Sequence, residues 1–169
     1  MKILDLGCGN NKRKEAVGID REDRPGVDII HNLDIFPWPI KDNEFDVVVC
    51  SHVLEHLSDI VKVMEEIHRI AKNQAKVLIW TPHFSNTGSF TDPLHIHHFS
   101  LESFNYFVEG TKARKYTRKK FKLIKSKLTF GKSQIIGKAF ALLSTHAYEK
   151  YFCFIFPAQD IYLELEVIK

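Results

Sequence analysis

The stretch Ile3-Leu4-Asp5-Leu6-Gly7-Cys8-Gly9 decides the fold. Ile3, Leu4 and Leu6 supply the apolar run of a buried parallel strand. Gly7 and Gly9 turn the chain tightly and leave bare backbone against which a ligand can lie. Asp5, just ahead of the turn, puts a carboxylate within reach of a polar or cationic part of that ligand. A second apolar run, Ala16-Val17-Gly18-Ile19, closes at Asp20. A carboxylate at the end of a second strand can accept hydrogen bonds from both hydroxyls of a ribose. Glycine turn and second-strand acid together outline a site for an adenosine-containing cofactor. A nicotinamide fingerprint would want a third glycine at position 12, which is Lys12, and a later acid than Asp20, which counts against that class.

Outward from this stretch the chain alternates strands with helices and loops. Strand one is Lys2–Leu6 and strand two Ala16–Asp20. The link from Gly7 to Glu15 is short for a parallel crossover, so a truncated first helix is expected, with the site open on that side. A third strand spans Val27–Leu33 and ends at Asp34. Phe45–Cys50 is nearly all apolar and reads as the central strand. A helix from Ser58 to Ala71, capped by Ser58, precedes a fifth strand at Lys76–Trp80, stopped by Pro82. This order predicts a doubly wound, Rossmann-like α/β sheet. Ser100 then caps a short helix closed by Gly110, with Phe104 and Phe107 turned inward. Phe121–Phe130 reads as a strand, and Ile135–Tyr151 as an amphipathic helix with Ile135, Ile136, Phe140, Leu142 and Leu143 on its apolar side. Asp160–Ile168 alternates strictly and reads as a last strand, antiparallel to the one near 125.

A length of 169 residues argues for one domain, 1–169. Within it, 1–82 is the cofactor-binding half, 83–157 the acceptor pocket and its cover, and 158–169 the last strand. The three cysteines are scattered, without a CxxC, which suits a reducing, cytoplasmic setting better than a disulfide framework. Met1-Lys2 leads directly into the first strand, so no signal peptide is expected. Ile135 to Pro157 is interrupted by Lys138, Glu149 and Lys150, and no membrane span is expected there.

Four segments in register, LDLGCGN (4–10), VGID (17–20), NLDIFPWPIKDNEFDVVV (32–49) and SHVLEHL (51–57), resemble the class I S-adenosylmethionine-dependent methyltransferases, and within them the small-molecule group called type 11. The resemblance covers about half the chain. It implies a mostly parallel seven-stranded sheet with an antiparallel C-terminal hairpin. It implies S-adenosylmethionine as cofactor, S-adenosylhomocysteine as product and methyl transfer to a small acceptor, more readily on oxygen or nitrogen. It implies roles as well. The amides of Gly7, Cys8 and Gly9 approach the methionine part, and Asp5 its amino group. Asp20 takes the ribose hydroxyls, with Arg21 beside it. Asp34 takes the adenine amino group, flanked by Leu33 and by the Ile35 backbone. Ser51 and His52 line the methyl-transfer pocket. Asn11 replaces the family's usual third glycine. The N-terminal covering helices common in the family are missing, and a partner subunit or the 132–157 helix is expected to do their work, a homodimer included.

Two features lie outside this pattern. Asp92-Pro-Leu-His-Ile-His-His98 follows strand five at the ligand-binding edge of the sheet. His52, His95 and His98 are the candidates for a base that takes the acceptor's proton; a hydrogen-bonded loop that merely holds the cover is the plain alternative. The HxHH spacing is not a compact ligand pattern, and no metal is assigned from sequence. Residues 112–132 are rich in Lys and Arg with no acid. They read either as a solvated face or as an attraction for phosphate, in RNA or in a phosphate-bearing acceptor. Neither an Asn-Pro-Pro-Tyr-like segment nor a Pro-Cys nucleophile is present, which argues against nucleic-acid amino and cytosine C5 chemistry. A fold that binds cofactor or partner without catalysis is the remaining alternative.

Overall fold

A computed structural model describes residues 1–112, 116–132 and 134–169. The strands are β1 (Ile3–Leu6), β2 (Ala16–Asp20), β3 (Ile29–Ile30), β4 (Phe45–Ser51), β5 (Ala71–Pro82), β6 (Lys120–Leu128) and β7 (Asp160–Ile168). The helices are α1 (Ile60–Ile70), α2 (Gly88–Thr91), α3 (Ile135–Leu143) and α4 (Thr145–Tyr151), with 3-10 turns at Leu54–His56 and Leu101–Tyr106. One sheet runs β3-β2-β1-β4-β5-β7-β6. The first five strands are parallel, and β7 inserts antiparallel between β5 and β6. This is the mostly parallel sheet with an antiparallel C-terminal pair that the sequence implied.

The sheet buries what its alternation and apolar runs dictate. β1 and β4 sit at the centre, with Leu4, Leu6, Val48, Val49 and Cys50 sealed from water. β7 alternates buried Ile161, Leu163, Leu165 and Val167 with half-exposed neighbours. α1 lays Val63, Met64, Ile67 and Ile70 against the sheet. Arg69 on that helix donates to the carbonyls of Trp38 and Ile40 and pairs with Glu66 and Asp42. Glu66 in turn accepts from the Trp38 N–H. This knot ties down the 33–40 loop and so fixes Leu33 and Asp34 above the sheet.

Several expectations need correction. Among the described residues no helix spans the β1–β2 link: residues 7–15 are turns, because the segment is too short for a helix and a return to the sheet. The crossover through β3 to β4 is likewise made by loops. β3 shrinks to two residues, since only Ile29 and Ile30 pair with β2. Asp59 rather than Ser58 caps α1, accepting from Lys62 N at 3.0 Å. The segment after Ser100 is a 3-10 turn ending at Tyr106, with Gly110 in a later turn; Phe104 and Phe107 do point inward.

The helix read over 135–151 is two helices. Ser144 breaks it with an extended backbone and caps α4 by accepting from Ala147 N at 3.2 Å. The apolar side of α3 does not face the core: Ile135, Ile136, Leu142 and Leu143 are 55–85% exposed. Phe140 alone of that set turns inward, stacked on Phe152 at 4.1 Å in a small second core around Tyr148, Cys153 and Ala158.

The basic block gains a structural explanation on β6. This is the edge strand, and Lys122, Lys125 and Lys127 are exposed along it. Charged side chains on an unpaired edge oppose strand addition by another molecule. Lys120 is paired with Glu109 at 2.7 Å, and the Lys127 ammonium lies 5.1 Å from the Tyr162 ring. Arg114 and Lys115, also counted in the block, lie outside the described residues.

Candidate cofactor and acceptor site

The parallel strands β1, β2 and β4 all end at the same rim of the sheet, where their following loops converge. Two adjoining clefts open there. The first, about 480 Å³, is walled by the ends of β2 and of the 33–34 loop, by His52 to Ser58, and by Pro93, Leu94 and Ile96. The second is walled by Asp5, the 7–11 turn, Arg13, Arg24, Ser51 and His52. Gly7, Arg24 and His52 belong to both. A cleft of a few hundred cubic ångströms is the size used for small ligands and cofactors.

The glycine turn is set by packing. Gly7 has φ +61°, and a Cβ there would meet Val53 Cγ2 at 2.5 Å. Gly9 has φ +50°, but a Cβ there would meet only Arg24 Nη1, at 4.0 Å, so its bare side faces open cleft. The amides of the turn are committed internally. Gly7 and Cys8 N–H donate to the Ile19 carbonyl at 2.8 and 3.3 Å, and Gly9 N–H donates to Asp20 Oδ2 at 2.9 Å. What the turn offers a ligand is close approach to backbone rather than free donors.

The three acids gather at this rim. Asp20 accepts from Gly9 and from Glu22 N at 3.1 Å, which uses one lone pair on each oxygen and fixes its aim beside the first cleft. Asp34 lines the same cleft and is held by Ser58, whose N–H donates to Oδ1 at 2.8 Å and whose hydroxyl lies 3.3 Å from Oδ2. Asp5 is 5% exposed at the floor of the second cleft and accepts from Arg13 N at 2.8 Å. Burial pushes its carboxyl above the usual range, opposed by that bond and by the Arg13 and Lys12 charges. Leu33, buried, and Arg21, exposed, both line the first cleft. Ile35 does not line either cleft: its N–H closes a turn onto the Asn32 carbonyl and its side chain is 58% exposed.

His52 sits where the clefts meet, in the left-handed region at φ 51°. Its N–H donates to the Trp80 carbonyl, and its Nδ1 lies 3.4 Å from Glu55 Oε1. At that distance and alignment the pair is a charge contact rather than a formed hydrogen bond. The Glu55 carboxylate raises the His52 imidazole above its ordinary value, against the opposing effect of burial. His95 and His98 do not line the clefts. His98 stacks on Phe90 at 4.0 Å and bonds the Ser89 hydroxyl at 2.9 Å. His95 lies behind His56, ring centroids 4.6 Å apart. His83 is fully buried and structural, bonded to Ser85 and Glu149. All three cysteines are buried with thiols pushed upward by desolvation, so none is poised as a nucleophile.

Sequence reasoning named Arg21 but missed two further cations of the site. Arg13 and Arg24 line the second cleft, Arg13 lying 5.0 Å from the Trp80 ring and Arg24 held by Glu22 at 2.5 Å. They sit in loops without periodicity, and only their closeness to the glycine turn could have flagged them.

Residues 12–79 match the family model described as a methyltransferase domain. The chain is 35% identical to the uncharacterized protein MJ0638 of Methanocaldococcus jannaschii, over 60% of this chain and 54% of that one. It is 31% identical to the ubiquinone biosynthesis O-methyltransferase of Pseudomonas aeruginosa, over 47% of this chain and 44% of that one. The chain thus spans about half the length of the curated relatives it matches. Among solved structures it superposes on a SAM-dependent methyltransferase from Archaeoglobus fulgidus with a TM-score of 0.64 at 18% identity, covering 98% of this chain and 85% of that one. Sheet order and superposition give the chain the fold of that methyltransferase, and the methyltransferase-domain match is carried by residues 12–79. No helix among the described residues is long and apolar enough to cross a membrane.

Proposed function

We propose that the chain binds S-adenosylmethionine across the two clefts and transfers its methyl group to a small acceptor, on oxygen or nitrogen. The observation that carries this is the convergence of Gly9, Asp20 and Asp34 on one rim, with open cleft between them. The residues fit the cofactor. Asp20 keeps lone pairs for the ribose hydroxyls, and Asp34 is aimed for an adenine amino group, with Leu33 as an apolar wall. Arg13 and Arg24 offer charge to the methionine carboxylate, and Asp5 to its amino group. When bound, the cofactor supplies a methyl carbon activated by sulfonium; the acceptor's lone pair takes it, the C–S pair stays on sulfur, and the acceptor loses a proton.

The chain's own task is alignment, since effective molarity rather than acid–base power supplies most of the help such a transfer needs. His52, at the junction of the clefts and oriented by Glu55, is the residue placed to receive the acceptor's proton. Oxygen as the methylated atom draws support from the O-methyltransferase of Pseudomonas aeruginosa. A homodimer draws support from the exposed apolar residues of α3. An RNA acceptor is less well supported, because the exposed lysines run along the far edge of the sheet from the clefts.

Calorimetry with S-adenosylhomocysteine tests the reading. Wild type is expected to bind one equivalent, and Asp20→Asn to bind about ten- to thirtyfold more weakly, the worth of one charged hydrogen bond of about 1.5–2 kcal/mol. Absence of binding by the folded wild type would sink the proposal.

A further inference from the structure

Glu55, His56 and His95 each bring a ligand atom to one place, all within 4.8 Å of one another. We infer that they form a binding site for one divalent transition-metal ion of the zinc class, at the edge of the first cleft.

The tautomers argue for it first. His56 Nδ1 lies 3.2 Å from the Leu94 carbonyl, and His95 Nδ1 lies 3.1 Å from the Ser89 carbonyl. A carbonyl only accepts, so in both rings Nδ1 carries a proton, and the neutral ring then has its lone pair on Nε2. An imidazole whose far N–H is anchored on a carbonyl is the arrangement found behind metal-ligating histidines, because it fixes ring orientation and raises basicity. The ring centroids are 4.6 Å apart, close for two residues that share no hydrogen bond with each other.

The carboxylate argues for it independently. Glu55 is 1% exposed. One of its oxygens accepts from the Thr81 hydroxyl at 3.1 Å, while Oε1 is buried without a hydrogen-bond partner. A buried carboxylate oxygen left short of partners costs several kcal/mol unless a cation is brought to it. His52 Nδ1, at 3.4 Å, is the charge nearest that oxygen, and its side chain is half exposed on the cleft side.

The loop is built to bring His95 over. Ile96 N–H and His97 N–H both donate to the Glu55 carbonyl, at 2.9 and 3.2 Å, which staples the 92–98 loop onto the 3-10 turn at 54–56. Asp92 Oδ2 lies 3.9 Å from His95 Nε2 and is the further carboxylate within reach of the site.

Two imidazoles and one carboxylate suit zinc or iron(II) and leave coordination positions open; an all-oxygen set would instead suit magnesium. His56 itself lines the first cleft. An open position there would take an acceptor oxygen, and this role, unlike the ion's binding, rests on the function proposed above. The set is invisible to sequence spacing because His95 stands far along the chain from Glu55 and His56.

The test uses full-length, tag-free protein stripped with chelator, titrated with zinc and separately with magnesium, and with cobalt(II) followed by its visible absorption. One equivalent of zinc is expected, with magnesium not competing. His56→Ala and His95→Ala should each weaken zinc by more than about tenfold and abolish the cobalt bands, while His146→Ala, on the surface, should not. His95→Gln serves if His95→Ala fails to fold by circular dichroism. No zinc binding by folded wild type, or binding kept by both the His56 and the His95 variants, overturns the inference. S-adenosylhomocysteine binding measured on the same samples keeps the two proposals apart: a metal-free protein that still binds it refutes the ion and leaves the cofactor reading standing.

Discussion

Alanine at Gly7 and at Gly9 separates what holds the fold from what makes room for the ligand. Both residues have positive φ, so both substitutions carry the left-handed penalty of about 1–2 kcal/mol. At Gly7 the new methyl would also stand 2.5 Å from Val53 Cγ2, inside a core formed by Leu4, Leu6 and Val53. Overpacking of that kind adds about 1–3 kcal/mol. The total, roughly 2–5 kcal/mol, is a large part of the stability of a domain this size. For a chain of this length it corresponds to a fall in Tm of about 10 °C. At Gly9 the methyl meets only the far end of Arg24, at 4.0 Å, so the φ penalty stands alone and Tm should fall by about 3–5 °C. That methyl, however, occupies the cleft side of the turn. Differential scanning fluorimetry and calorimetry with S-adenosylhomocysteine, run on both variants, read the two effects. Gly7→Ala should lose stability first; Gly9→Ala should stay folded and lose at least tenfold in affinity. Equal drops in Tm, or a Gly9→Ala variant that binds as well as wild type, would refute the reasoning.

Two other outcomes follow from the geometry. Because Glu55 raises the folded-state imidazole of His52, the pair's stabilisation is complete below the unfolded histidine value and is lost as pH rises through the folded one. Thermal stability measured from about pH 6 upward should therefore decline in wild type and decline less in His52→Gln; parallel curves would show that the pair is not coupled. On β6, replacing Lys122, Lys125 and Lys127 by Thr should leave the fold intact and raise the rate of aggregation followed by light scattering. If the same variant instead lost salt-sensitive RNA binding that wild type displays, the edge-guard explanation would fail and the RNA alternative would stand.

The half of the chain up to Pro82 was legible because its signals are local. An apolar run followed by Gly-Cys-Gly admits few conformations, and β1, β2, β4 and the strict alternation of β7 fell where their patterns placed them. Asp20 was readable for the same reason, since it ends β2, whereas Asp34 lies in the loop beyond a β3 of only two residues. What could not be read depends on contacts far apart in sequence. Helical periodicity over 135–151 does not reveal that Ser144 would rather cap a new helix than continue the old one, nor that Ile135 and Leu143 lack a partner within the chain. Arg13 and Arg24 become site residues only when the turn folds beside them. The histidines near 95 looked like one cluster in sequence, yet the structure sends His98 to Phe90, leaves His97 Nε2 buried without a partner and brings His95 to His56.

Glu149 couples three segments that the chain order keeps apart. Its single oxygen Oε1 takes hydrogen bonds from the His83 ring at 3.1 Å and from Leu101 N–H at 2.8 Å, so α4, the end of β5 and the turn after Ser100 are latched at one atom. Three elements hung on one carboxylate oxygen shift together, so loss of that carboxylate would loosen all of them at once.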